Sequence, residues 1–130
     1  MKKILLFVSI LIFGSQLFAQ NAGDKPSGHV MKNYYMVLLI RSAQAPKMDS
    51  IQLEKIQEGH MAHINEMAAN KKLVMAGPFL DNDSLRGIFI FDVVSKEEVV
   101  KLCQEDPAVK SGRLKFTVRT WFAQQGSCLP

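Results

Sequence analysis

Runs of apolar residues with different periods divide this chain into elements. The first run, Ile4 to Phe13, is interrupted only at Ser9 and follows Lys2 and Lys3. Gln20 to Lys32 is rich in Asn, Gly, Asp, Pro and Ser and carries no periodic apolar signal. Tyr34-Tyr35-Met36-Val37-Leu38-Leu39-Ile40 is aromatic and branched enough for a buried strand. A loop follows from Ser42 to Lys47, with Asp49 or Ser50 as the N-cap of a long helix reaching about Asn70. On that helix Leu53, Ile56, His60, Ile64 and Met67 fall within an arc of about 80°, the stripe of a core-facing surface. Gly59 lowers helix propensity by about 1 kcal/mol relative to alanine, which points to a close approach by another backbone or a ligand.

Leu73 to Gly77 predicts a second strand stopped by Pro78, and Asp81-Asn82-Asp83-Ser84 a turn. Gly87 to Val93 predicts the third strand, hairpinned to the second. Ser95-Lys96-Glu97-Glu98 fits a capping box, in which each end residue satisfies the other's free N–H. The second helix therefore starts at Ser95 and ends near Glu105. Leu114 to Ala123 alternates as a last strand, with Leu114, Phe116, Val118, Thr120 and Phe122 on one face. The order β-α-β-β-α-β is that of an α+β, ferredoxin-like unit, an antiparallel sheet with two helices on one face. A sheet with one wet face should alternate, yet the first and third strands are apolar throughout. A second copy of the sheet is the simplest cover, so a homodimer with facing sheets is expected.

Composition sets the compartment and excludes some partners. A basic start, a short apolar run and Ala19 at a cleavage point read as a signal peptide over residues 1–19. A membrane span needs roughly 20 apolar residues, so no membrane association is expected after cleavage. The periplasm or the medium is the expected location. Residues 20–32 are the expected tether, 33–125 the domain and 126–130 a tail. Removing Lys2 and Lys3 from the 16 basic residues leaves 14 against 12 acidic ones, a net +2. Without a basic stripe to neutralise phosphates, nucleic-acid binding is not expected. Cys103 and Cys128 are too few for a disulfide framework. A bridge between them and a buried, reduced Cys103 both remain open.

The residue that departs from its pattern is His60, in the middle of an apolar stripe. Buried imidazole needs a polar partner, so His60 is either a satisfied core histidine or a general acid–base group titrating near neutral pH. Asp106 is the candidate partner. A carboxylate at a helix C-terminus opposes the macrodipole, although Asp106 with Pro107 behind it also fits a cap of the next turn. The two roles are compatible. His63, one turn from His60, is at metal-sharing spacing, but no further ligand completes a set and no metal or other cofactor is expected. Arg86 and Arg119 are candidate contacts for an acidic substrate or plain surface charges. Met36, Met61, Met67 and Met75 suit an adaptable pocket or an ordinary core. Ser50, Ser84 and Ser111 occupy caps and turns, and no glycine-rich phosphate cradle occurs.

From Tyr34 to Phe122 the chain resembles the YCII-related family. The resemblance lies in His60 with its amphipathic helix, Leu73-Val74-Met75-Ala76-Gly77-Pro78, Asp106-Pro107, and Gly112 before the last strand. It implies a dimeric α/β barrel of ferredoxin-like protomers, with His60 and Asp106 at the positions of the family's active-site pair. One branch of that family eliminates halide from a chlorinated hydroxyquinol, and related barrels process small aromatic compounds. The signal sequence is a departure from cytosolic relatives and detaches this chain's substrate from theirs. The expectation is an acid–base enzyme of lyase or isomerase type acting on a small organic, aromatic-like ligand. The alternatives are a non-catalytic module binding such a ligand and a dimeric interaction protein. A cavity containing the polar pair would favour the first.

Overall fold

The computed structural model describes residues 30–127. The expected signal sequence, His29, most of the tether and Cys128 lie outside the described residues. The chain forms β1 (Met31–Arg41), α1 (Ser50–Ala69), β2 (Leu73–Pro78), β3 (Leu85–Phe91), α2 (Lys96–Glu105), α3 (Pro107–Lys110) and β4 (Leu114–Gln124). The four strands make one antiparallel sheet in the order β2-β3-β1-β4. The fold is α+β and ferredoxin-like, as the element order predicts.

β1 and β3 occupy the centre of the sheet. Strand side chains alternate between faces. Val37 and Leu39 of β1 and Phe89 and Phe91 of β3 pack with Met67 of α1 and with Val99 and Cys103 of α2. Both long helices therefore cover the same side. The opposite face carries Met36, Leu38 and Ile40, paired with Ile90, Ile88 and Leu85. No described element covers that face.

Several boundaries differ from the pattern reading. β1 begins at Met31, inside the expected tether, because Met31 and Lys32 pair with Gln124 and Ala123 of β4. Lys32 also reaches Asp92 at 2.6 Å. β3 lies two residues earlier than its apolar run suggests. Ser84 accepts from the Arg41 N–H at its start, while past Phe91 the Asp92 N–H turns to Lys72. Asp49 caps α1, in a capping box with Gln52. Ser95 caps α2, accepting from the Glu98 N–H at 3.2 Å, but the expected box does not close, because the Glu98 carboxylate pairs with Lys72 at 2.9 Å. The short α3 is an added element, started by Asp106 and Pro107.

Candidate functional site

Two helices and one strand fix the imidazole of His60. The apolar stripe of α1 faces the sheet, so the residue in its middle is carried inward, and His60 is only 9% exposed. Its ring stacks on Phe89 of β3, with centroids 6.1 Å apart and planes 27° from parallel. Phe89 is itself held edge-on by Phe91. The third constraint is Asp106, whose two carboxylate oxygens lie 2.9 and 2.7 Å from His60 Nδ1.

Asp106 sits where α2 ends and α3 begins, and is 1% exposed. Its Oδ1 accepts from the Ala108 N–H at 2.8 Å. The cap and the histidine partner are thus the same carboxylate. Asp106 has no donor of its own as a carboxylate, so the shared proton is on Nδ1 and Nδ1–H donates. The lone pair of the neutral ring is then on Nε2. No buried polar side-chain atom among the described residues lacks a partner, and Nε2 of His60 has none among those residues. It is therefore an accessible atom rather than a buried orphan.

That accessibility is provided by a cavity of about 450 Å³ between α1 and the end of the sheet. Leu39, Phe89, Ile64 and Met61 give it apolar walls, and His60 and Gln57 are polar groups on the helix side. Asp106 does not line the cavity, so the cavity contains one member of the expected pair rather than both. Gly77, Pro78 and Gly87 form part of the floor. A Cβ on Gly87 would stand 2.5 Å from the Gly77 carbonyl oxygen, so only glycine lets these two strands close there. Gly59 has a related purpose: a Cβ at that position would stand 3.0 Å from the Pro107 ring. The absence of a side chain lets α1 approach α3, next to the residue that meets Asp106.

The other candidate residues separate. His63 Nε2 lies 2.9 Å from the Leu102 carbonyl oxygen, on the side of α1 away from the cavity. No three of His, Cys, Asp and Glu are grouped to hold a metal ion among the described residues. Arg86 lines the cavity, whereas Arg119 is paired with Met36 on β1 and lies on the uncovered sheet face. Of the four methionines, Met61 lines the cavity, Met67 is core, and Met36 and Met75 are on the far face. Arg41 and Arg113 line the cavity and were not singled out in the sequence. Their signal was a cation at each end of neighbouring apolar strands. Burial, with the Asp106 charge as a smaller cause, pushes the Cys103 thiol up to about 12.

Comparison with known proteins adds three findings. The sequence profile of the YCII-related domain matches residues 34–121. The uncharacterized protein YjpA of Bacillus subtilis (strain 168) is 33% identical over 63 residues, spanning 48% of this chain and 72% of YjpA. A solved structure with the same fold is 5-chloro-2-hydroxyhydroquinone dehydrochlorinase from Burkholderia phenoliruptrix AC1100, in complex with 2,5-dihydroxybenzoquinone. It matches with a TM-score of 0.51 and 21% identity, over 68% of this chain and 92% of that one.

Proposed function

Because this chain belongs to the YCII-related domain family, we propose that it is a small-molecule enzyme in which His60, oriented by Asp106, moves a proton on a ring compound. The observation that carries this reading is the polarity of the pair. Asp106 occupies Nδ1, and this leaves Nε2 as a base facing a cavity of substrate size. Nε2 takes a proton from a carbon or hydroxyl, and the electron pair of the broken bond stays on the substrate. Asp106 stabilises the imidazolium that results. Return of the proton at another carbon completes an isomerisation, and departure of an anionic leaving group completes an elimination.

A dehydrochlorinase of the same fold, seen with a dihydroxybenzoquinone, supports a small oxygenated ring as the substrate class. The chemistry asked of His60 is worth about 10²–10⁴-fold, adequate for a carbon already acidified by a neighbouring carbonyl. The reading includes a homodimer, supported by the uncovered apolar face of β1 and β3. It also includes export, supported by the sequence of residues 1–19.

The test is deuterium incorporation from D₂O into a panel of hydroxyquinols, hydroxyquinones and cyclic enones, followed by proton NMR. The wild-type protein should catalyse exchange in at least one, and His60→Gln should lower that rate by about 10²-fold or more. Exchange that is equally fast with His60→Gln rules out the mechanism. Tight ligand binding without exchange or turnover favours the non-catalytic binding module.

A further inference from the structure

The cavity has a charge that proton transfer alone does not require. Arg41, Arg86 and Arg113 line it, and no Asp or Glu does. None of the three is in a salt bridge among the described residues, whose ion pairs are Lys32–Asp92, His60–Asp106 and Lys72–Glu98. Arg86 makes one long contact, Nη1 donating to the Asp81 carbonyl at 3.4 Å. The side chains of Arg41 and Arg113 have no hydrogen-bond partner among the described residues.

Topology brings Arg41 and Arg113 together. Arg41 ends β1 and is paired with Leu114, the first residue of β4. Arg113 immediately precedes Leu114, and its carbonyl accepts from the Ser42 N–H at 3.0 Å. The backbones of the two arginines are thereby held side by side at one end of the sheet, and both residues line the same cavity. Neither guanidinium has a carboxylate beside it in the cavity to neutralise it. The guanidinium fork matches a carboxylate or a planar pair of oxygens better than any other side chain does. The other walls, Leu39, Phe89, Met61 and Ile64, are apolar and suit a ring.

We propose that Arg41 and Arg113 make this cavity a site for a small cyclic acid, a ring bearing a carboxylate or an ionised hydroxyl, with Arg86 adding charge at the rim. The proposal rests on the reading of His60 as the acid–base group and narrows its substrate to anions. The two fit chemically. When Nε2 removes a proton from carbon, negative charge develops on the ring oxygens, and cations lining the same cavity stabilise it.

The experiment compares 2,5-dihydroxybenzoate with 2,5-dihydroxybenzamide, the same ring with and without the charge. Affinity is measured by calorimetry on the whole protein, and occupancy of the site by the His60 imidazole signals in NMR. The acid should bind roughly 10- to 100-fold more tightly, the range of a charge-assisted hydrogen bond, and should shift His60. Arg113→Gln and Arg41→Gln should each remove most of that preference, Arg113→Lys should keep part of it, and added salt should reduce it. Amide spectra of each variant establish that the fold is intact. Equal affinity for acid and amide, with His60 shifting in both, overturns the anion proposal and leaves the acid–base reading in place. A preference unaffected by either Arg→Gln change overturns it as well. No response of His60 to either probe overturns both readings. An acid preference that depends on the arginines, with deuterium exchange indifferent to His60→Gln, supports the anion site and removes the catalytic role.

Discussion

Asp106 satisfies two donors, the ring N–H of His60 and the backbone N–H of Ala108, while 1% exposed. These tasks respond differently to substitution. In Asp106→Asn the amide oxygen still accepts from Ala108, but the amide NH₂ faces His60 Nδ1, so the imidazole must carry its proton on Nε2 instead. We expect a stability loss of about 1 kcal/mol and a change of His60 tautomer in the imidazole ¹⁵N shifts. Proton-exchange activity should fall by about 10²-fold or more. An unchanged tautomer in Asp106→Asn shows that this bond does not orient the ring. Asp106→Ala removes the cap too and should cost about 1–3 kcal/mol in chemical denaturation. Cys103, three residues earlier and 1% exposed, gives a pH effect of its own. Below the thiol's ordinary value of 9.0 it is neutral in both folded and unfolded chains and adds no pH dependence. Between there and about 12 the unfolded thiol ionises while the folded one keeps its proton. Stability should therefore fall as pH rises through that window, by up to about 1.4 kcal/mol per pH unit from this group. Denaturation of Cys103→Ala should show a shallower slope there, and an identical slope means the thiol is not held protonated by burial.

At the scale of elements, the site depends on how closely α1 meets α3. Gly59→Ala recovers about 1 kcal/mol of helix propensity, but its Cβ meets the Pro107 ring at 3.0 Å. Overpacking of a fixed contact costs about 1–3 kcal/mol, and Pro107 adjoins Asp106, so the ring yields only by moving the cap. We expect a net loss of up to about 2 kcal/mol by chemical denaturation and a disturbed His60 ¹⁵N signature. A stabilised protein with the wild-type His60 signature shows that the ring moves aside without cost. The sequence disclosed the helix face and its exceptional residue, since the stripe Leu53, Ile56, His60, Ile64 and Met67 is local periodicity. It disclosed the cap at Asp106 for the same reason. It did not disclose the strand status of Met31 and Lys32, which have no apolar pattern and are ordered by β4 from the far end of the chain. Arg41 and Arg113 are brought together only by the register between β1 and β4, across 113 − 41 = 72 residues of sequence. Each is separately an ordinary charge at a strand end.

The whole molecule has two sides with opposite fates. One side of the sheet is filled by α1 and α2. The other presents Met36, Leu38, Ile40, Ile88 and Met75, with Tyr34 and Trp121 packed at 6.3 Å at one end. An apolar patch of that continuity on a small domain marks an interface, and self-association of a two-fold kind needs no second protein. The patch also contains Arg119 and Thr117, paired with Met36 and Leu38, so a partner sheet must offer polar groups along one edge. We expect sedimentation equilibrium at micromolar concentration to give a particle of about twice the mass of the chain, and Ile88→Lys or Leu38→Lys to shift it to the single chain. The His60 site lies on the helix side of the sheet, away from the face that carries Ile88. In a monomeric Ile88→Lys variant, the His60 ¹⁵N signature should therefore remain that of the wild type. A wild-type protein that sediments as a single chain removes the dimer and leaves the apolar face without an explanation. A dimer whose dissociation alters the His60 signature shows instead that the sheet face and the site are coupled through β3, which carries Ile88 on one side and Phe89 on the other.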